Sequence, residues 1–134
     1  MSVLDDIAAQ LVASSVGVLG TNIFLSSASV IPTGPGPYLT VSETGGLAPT
    51  RVANYRAPNT QRPTAQILVR SLGEQPARTM IKNAYFALDG IFNTTVNGVF
   101  YLSMTARQEP TDMGLDGSGR FQIVFNIDAE KSPS

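Results

Sequence analysis

Phe100-Tyr-Leu-Ser-Met-Thr-Ala-Arg-Gln-Glu-Pro-Thr-Asp-Met-Gly-Leu-Asp-Gly-Ser-Gly-Arg-Phe-Gln-Ile-Val-Phe-Asn-Ile127 decides how this chain folds. From Phe100, the apolar side chains Phe100, Leu102, Met104 and Ala106 alternate with Tyr101, Ser103, Thr105 and Arg107. From Phe121, the side chains Phe121, Ile123, Phe125 and Ile127 alternate with Gln122, Val124 and Asn126. Two period-two runs joined by a turn-rich segment predict an antiparallel hairpin with one buried face. Phe100, Leu102 and Met104 are expected to be buried on that face with Phe121, Ile123, Phe125 and Ile127.

The connection between the runs invites a calcium-loop reading, and the residues refuse it. A loop begun at Asp112 puts Gly114 at the third position and Ile123 at the twelfth, where a bidentate glutamate is needed. Glu109, Asp112 and Asp116 are neighbours in sequence, but carboxylates on a glycine-rich tip are ordinarily solvated, so no metal site is expected. The segment is predicted to be a hairpin connection, with Gly117 or Gly119 supplying a positive φ.

Upstream of the hairpin, Pro76 opens a helix, where its missing N–H is harmless. Ala77, Met80, Ile81, Ala84, Tyr85 and Leu88 give that helix one apolar stripe, and Gly90 closes it. Ala65-Gln-Ile-Leu-Val-Arg70 predicts a strand. Residues 44–64 show no period and carry Gly45, Gly46, Pro49, Pro58 and Pro63. A loop of that length is usually functional or disordered. It holds Arg51, Tyr55, Arg56 and Arg62 without an acidic residue from Thr44 onward, and is predicted to be a contact arm to a neighbouring subunit.

Nearer the N-terminus, Tyr38–Glu43 and Asn22–Ser27 predict strands on either side of the turn cluster Pro32-Thr-Gly-Pro-Gly-Pro37. That cluster lacks the lysine and the Ser/Thr of a phosphate loop. Ser2 can cap a first helix in which Leu4, Ile7, Ala8, Leu11 and Val12 share a face, ended by Gly17 and Gly20. The order is helix, two strands, long loop, strand, helix, two strands. It predicts a single α+β domain over 1–134, a mostly antiparallel sheet with two helices packed against it and a flexible tail at 129–134.

Composition narrows function. Apolar residues make up 43% of the 134 residues and charged ones only 14%, against an ordinary value of about 25% charged. The polar surface is therefore built largely from Ser, Thr, Asn and Gln, which desolvate readily at subunit contacts. A net charge of −1 draws the chain to neither nucleic acid nor an anionic membrane. There is no cysteine and no histidine, so disulfides, thiolate zinc sites and the commonest general base are absent. Asp5 and Asp6 stand where a signal peptide needs positive charge, and no apolar run of about 20 residues occurs. No catalytic residue, cofactor site or metal site is predicted. Asn93-Thr-Thr95 matches a glycosylation acceptor that has no use in a chain without a secretory signal.

Taken together, Gln66-Ile-Leu-Val-Arg70, the helix ending in Ala87-Leu-Asp-Gly-Ile91, Tyr101 to Pro110, Gly114 to Arg120 and Val124-Phe-Asn-Ile-Asp128 resemble the minor capsid or tail-terminator family of long-tailed bacteriophages. Gln108-Glu-Pro110, Gly114-Leu-Asp116, Gly119-Arg120 and Asn126 carry the resemblance, which covers residues 65–128 best. It implies an α+β virion subunit that forms a ring, expected to be a hexamer, at the neck. The ring would cap the tail tube, end its polymerisation and meet the head connector or stopper protein. Assembly would take place in the host cytoplasm.

A compact domain of this length has a radius of gyration of about 14 Å, equivalent to a sphere about 36 Å across. Six such spheres in a closed ring leave a hole of similar width, through which duplex DNA can pass without specific binding. Asp112 and Asp116 are candidates for the lumen lining, with Asp5 or Asp6 as alternatives. The competing expectations are a head-completion or adaptor protein of the same neck and a small nucleic-acid-binding module. The latter would need a basic face, of which Tyr55 beside Arg56 is the only hint.

Overall fold

The computed structural model describes residues 3–25, 34–50, 60–115, 117 and 119–131, with 45–50 and 60 described by their backbone. Its elements run α1 (Val3–Ala13), β1 (Ile23–Leu25), β2 (Tyr38–Thr50), β3 (Thr60–Ser71), α2 (Glu74–Leu88), β4 (Ile91–Val96), β5 (Val99–Ala106), β6 (Thr111–Leu115) and β7 (Phe121–Lys131). Among the described residues the strands form a seven-stranded sheet in the order β1-β2-β3-β7-β5-β4, with β6 beside β7. The β1–β2 pair is parallel and the others are antiparallel. This is the expected α+β class.

Both helices cover one face of the sheet. Val3, Ile7 and Leu11 of α1 and Ala77, Met80, Ile81, Ala84 and Leu88 of α2 meet Leu39, Val41, Ile67, Val69, Ile123, Phe125 and Ile127 in a single core. The helical stripe and the second period-two run thus lie where their spacing put them, except that Tyr85 and Phe121 are only partly buried against this core. Pro76 sits in the first turn of α2, after an extended Gly73 N-cap, where no intrahelical partner for its nitrogen exists. Helix α1 ends before the glycines expected to end it. Ser15 takes the left-handed conformation (φ 60°), and the Val16 N–H donates to the Leu11 carbonyl at 3.0 Å. That closure is a Schellman turn made with serine. Ser2 lies outside the described residues.

The face assignment of the first period-two run is overturned. Phe100 is 41% exposed and Leu102 37%, whereas Tyr101 and Met104 are fully buried. The register of β5 against β7 shifts between Tyr101 and Ser103. A bulge of this kind adds one residue, and the residues beyond it change faces relative to those before it. Tyr101 and Met104, three apart, therefore point to the same side.

Two strands were not anticipated. β4 forms a hairpin with β5 through Asn97 (φ 50°) and Gly98 (φ 82°). Two successive positive φ angles at Asn-Gly make the two-residue turn whose twist suits a hairpin. β6 arises from the segment expected to be a mere connection. β5 pairs with residues 127–131 of β7, and β6 takes over beside residues 121–124. At the handover the Arg107 N–H donates to the Asn126 carbonyl at 2.8 Å and the Asn126 N–H donates to Gln108 Oε1 at 3.4 Å. Gln108 and Asn126 of the family-like pattern thus meet where one strand replaces the other.

The loop predicted over 44–64 is largely strand. Residues 44–50 belong to β2 and 60–64 to β3, and only 51–59 lie outside the described residues. The register shifts between Glu43 and Gly46 and again between Leu47 and Thr50, and such irregularities erase the alternation that marks a strand. The flexible tail expected over 129–134 is strand in its first three residues. β7 continues to Lys131, which pairs with both Tyr101 and Gln61 and is 3% exposed. Residues 132–134 are not described.

Candidate assembly surface

The N-terminal half of α2 separates two features of opposite shape. On one flank, Arg78 lies 2.9 Å from Glu74 Oε1, one helical turn back, and 3.2 Å from Asp112 Oδ2 on β6. The other oxygen of Asp112 accepts the Gly114 N–H at 2.7 Å. All three charged side chains are well exposed, so each pair contributes less than about 1 kcal/mol. Their consequence is positional, because they hold the β6–β7 arm against the helix. All five residues of β6 are exposed, Met113 at 56% and Leu115 at 61%.

On the other flank lies an open groove of about 470 Å³, lined by Val16, Asn22, Pro37, Gln75, Pro76, Thr79, Met80 and Asn83. Its walls come from three segments. The turn after α1 brings in Val16. Gly17 lets the Asn22 carboxamide approach, since a Cβ there would lie 2.6 Å from Asn22 Oδ1. That oxygen accepts the Val18 N–H at 2.7 Å. The Pro35 carbonyl accepts the Leu72 N–H at 2.9 Å and the Ser71 hydroxyl at 3.3 Å, which fixes the turn carrying Pro37 against the end of β3. The lining has amides and a hydroxyl but no charged side chain.

Further apolar surface is exposed on Val18 and Leu19 beyond α1, on Phe86 of α2, and on Phe92, Phe100 and Leu102 of the β4–β5 hairpin. A smaller cleft of about 150 Å³ is bordered by Arg62, Thr64, Ser103, Thr105, Asp128 and Glu130. Beside it Arg107 grips Asp128 with two contacts, 2.6 Å to Oδ1 and 3.2 Å to Oδ2. This hydrogen bonding, and then the charge of Asp128, raise the Arg107 pKa.

The residues singled out from sequence scatter. Arg51, Tyr55, Arg56 and Asp116 lie outside the described residues. Arg62 is half-buried in the wall of the smaller cleft, on the strand that pairs with the end of β7. Asp112 is exposed but bound to Arg78, at the opposite end of β7. Asp5 is exposed, whereas Asp6 is fully buried and cannot line a lumen. The sequence did not point to Met113, Leu115 or the groove. The Asn97-Gly98 pair was the available signal for β4. For β6 there was only a short Thr-Asp-Met-Gly-Leu run broken by glycine. Among the described residues no helix is long and apolar enough to cross a membrane.

A chain of the solved virion of a native gene transfer agent particle has a similar fold, with a TM-score of 0.58 at 14% identity. The likeness covers 95% of this chain and 84% of that one. A second solved chain gives a TM-score of 0.60 at 14% identity, covering 100% of this chain and 98% of its own. No curated protein sequence matches. The family model of the bacteriophage tail terminator protein matches residues 11–132, which take in every described strand and α2 but only the end of α1. The chain therefore belongs to the bacteriophage tail terminator family, a family of structural virion proteins.

Proposed function

We propose that this protein acts as a self-assembling ring, six copies around the DNA path, that caps the tail tube and joins it to the head connector. The observation that carries the reading, beside family membership, is the distribution of exposed apolar side chains. Among the described residues ten large ones are exposed, on α1 and the turn after it, at Leu72 between β3 and α2, on α2, on the β4–β5 hairpin and on the β6 arm. Apolar side chains exposed on several separate elements suit a ring subunit, which must meet two neighbours, a tube below and a connector above. The low charge content reduces the desolvation penalty at such contacts.

Duplex DNA has to slide through such a ring, so its bore is expected to be acidic or neutral. Each phosphate held by a fixed Lys or Arg adds counterion-release affinity, multiplied by the number of subunits. Asp112 and Asp116 remain the proposed lining. Asp112 shares Arg78 with Glu74, which leaves the three side chains with a net negative charge and suits an acidic or neutral bore.

The test adds the purified protein, at several rings per tube, to polymerising tube protein. Capping predicts shorter tubes, each ending in one ring by negative-stain microscopy. Tubes of unchanged length with bare ends would refute it. Binding to isolated heads without binding to tube ends would instead favour a head-completion role.

A further inference from the structure

We propose that the β6 arm of one copy seats in the Val16–Pro37–Pro76–Met80 groove of the next copy, Met113 and Leu115 entering it first. The inference rests on the ring reading above and names the two surfaces that would close the ring.

A ring of identical chains needs heterologous contacts, two different complementary surfaces on opposite flanks of each subunit. The N-terminal half of α2 provides that arrangement. Arg78 faces β6, and about 100° further round the helix Thr79 faces the groove. Arm and groove therefore lie on different flanks of α2, with Asp112 of the arm bound to Arg78 on its own flank.

Their chemistry matches. The protruding side chains of the arm are apolar, and its one described charge, Asp112, is already bound to Arg78 of its own subunit. The groove is lined by Val16, Pro37, Pro76 and Met80 together with uncharged polar side chains. Among the described strands β6 pairs with β7 only, so its outer edge remains open. A short exposed strand whose apolar side chains add nothing to its own core is a liability in an isolated subunit. Burial against a second copy removes that liability, and a groove of about 470 Å³ is of the size that accepts inserted groups.

The chain has no cysteine, so cross-linking can be placed cleanly. The double variant Leu115→Cys/Thr79→Cys, both at exposed positions, is oxidised in the full chain under conditions where light scattering shows the wild type assembled. A covalent ladder beyond the dimer is expected, because each subunit then bonds to two neighbours. Either single variant can reach only a dimer. Leu115→Asp should weaken self-association at least about ten-fold, as a charge forced into an apolar contact does, while its monomer melts as the wild type does. Assembly of wild-type size without a ladder, and unaffected by Leu115→Asp, overturns the arm-to-groove contact and leaves the ring standing. A wild-type chain that stays monomeric both alone and on tube ends overturns both.

Discussion

The Tyr101 hydroxyl donates to Asp6 Oδ2 at 2.5 Å, joining the first helix to a strand 95 residues away. Both residues are fully buried. Asn97 Nδ2 donates to the other carboxylate oxygen at 3.1 Å, so the turn of the β4–β5 hairpin closes on the same group. Tyr101 reaches this position because of the bulge that turns it toward the helices. The aromatic ring fills the core and the hydroxyl satisfies a carboxylate that could not otherwise be buried.

Removing that donor should be felt. Tyr101→Phe keeps the ring volume but leaves Asp6 Oδ2 without its hydroxyl partner, and an unsatisfied buried group costs about 1–3 kcal/mol, more where it is charged. Chemical denaturation of the monomer should show at least that loss. A change under about 0.5 kcal/mol would mean that water replaces the hydroxyl freely and that the pair is not structural.

The same pair sets a pH dependence. Burial first, then the hydrogen bond to Asp6 and its negative charge, raise the Tyr101 pKa well above the ordinary tyrosine range. The unfolded chain loses this proton near pH 10 and the folded one keeps it, so the contribution is complete below pH 10 and declines as pH rises above it. The slope is up to about 1.4 kcal/mol per pH unit for one proton. Subtracting the Tyr101→Phe stability curve from that of the wild type should isolate this alkaline loss. Parallel curves between pH 9 and 11.5 would contradict it.

Core and surface should separate cleanly along neighbouring strands. Phe125 is fully buried, edge-on to Tyr85 with ring centroids 5.6 Å apart, and Phe125→Ala should destabilise by about 3–5 kcal/mol. Leu102→Ser, at a position the alternation alone would have buried, should change monomer stability by less than about 1 kcal/mol. A large loss in Leu102→Ser would restore the unbulged register.

The cationic residues Arg51, Arg56 and Arg62, proposed above as a contact arm, are expected to act between subunits. Replacing Arg51, Arg56 and Arg62 together with Gln should weaken assembly about ten-fold or more while the monomer still folds, as light scattering and circular dichroism would show. Undiminished assembly would remove the arm from the interface.

What the sequence determined by itself is what local periodicity records. The stripe Ala77–Leu88 lies on a helix face, and Ile123, Phe125 and Ile127 share a buried face, because an uninterrupted element returns its side chains to the same side at a fixed period. The succession from Gln66 to Asp128 was enough to point to the family, and within it Gln108 and Asn126 meet where β6 replaces β5 beside β7. Tertiary structure alone decided the rest. A bulge has no period, so nothing local distinguishes a buried Tyr101 from the expected Phe100. Asp6 looked like a surface carboxylate because its partners, Asn97 and Tyr101, come from more than ninety residues away. The arm and the groove became visible only when α2 was seen to hold them on opposite flanks, a relation between distant segments that spacing along the chain does not encode.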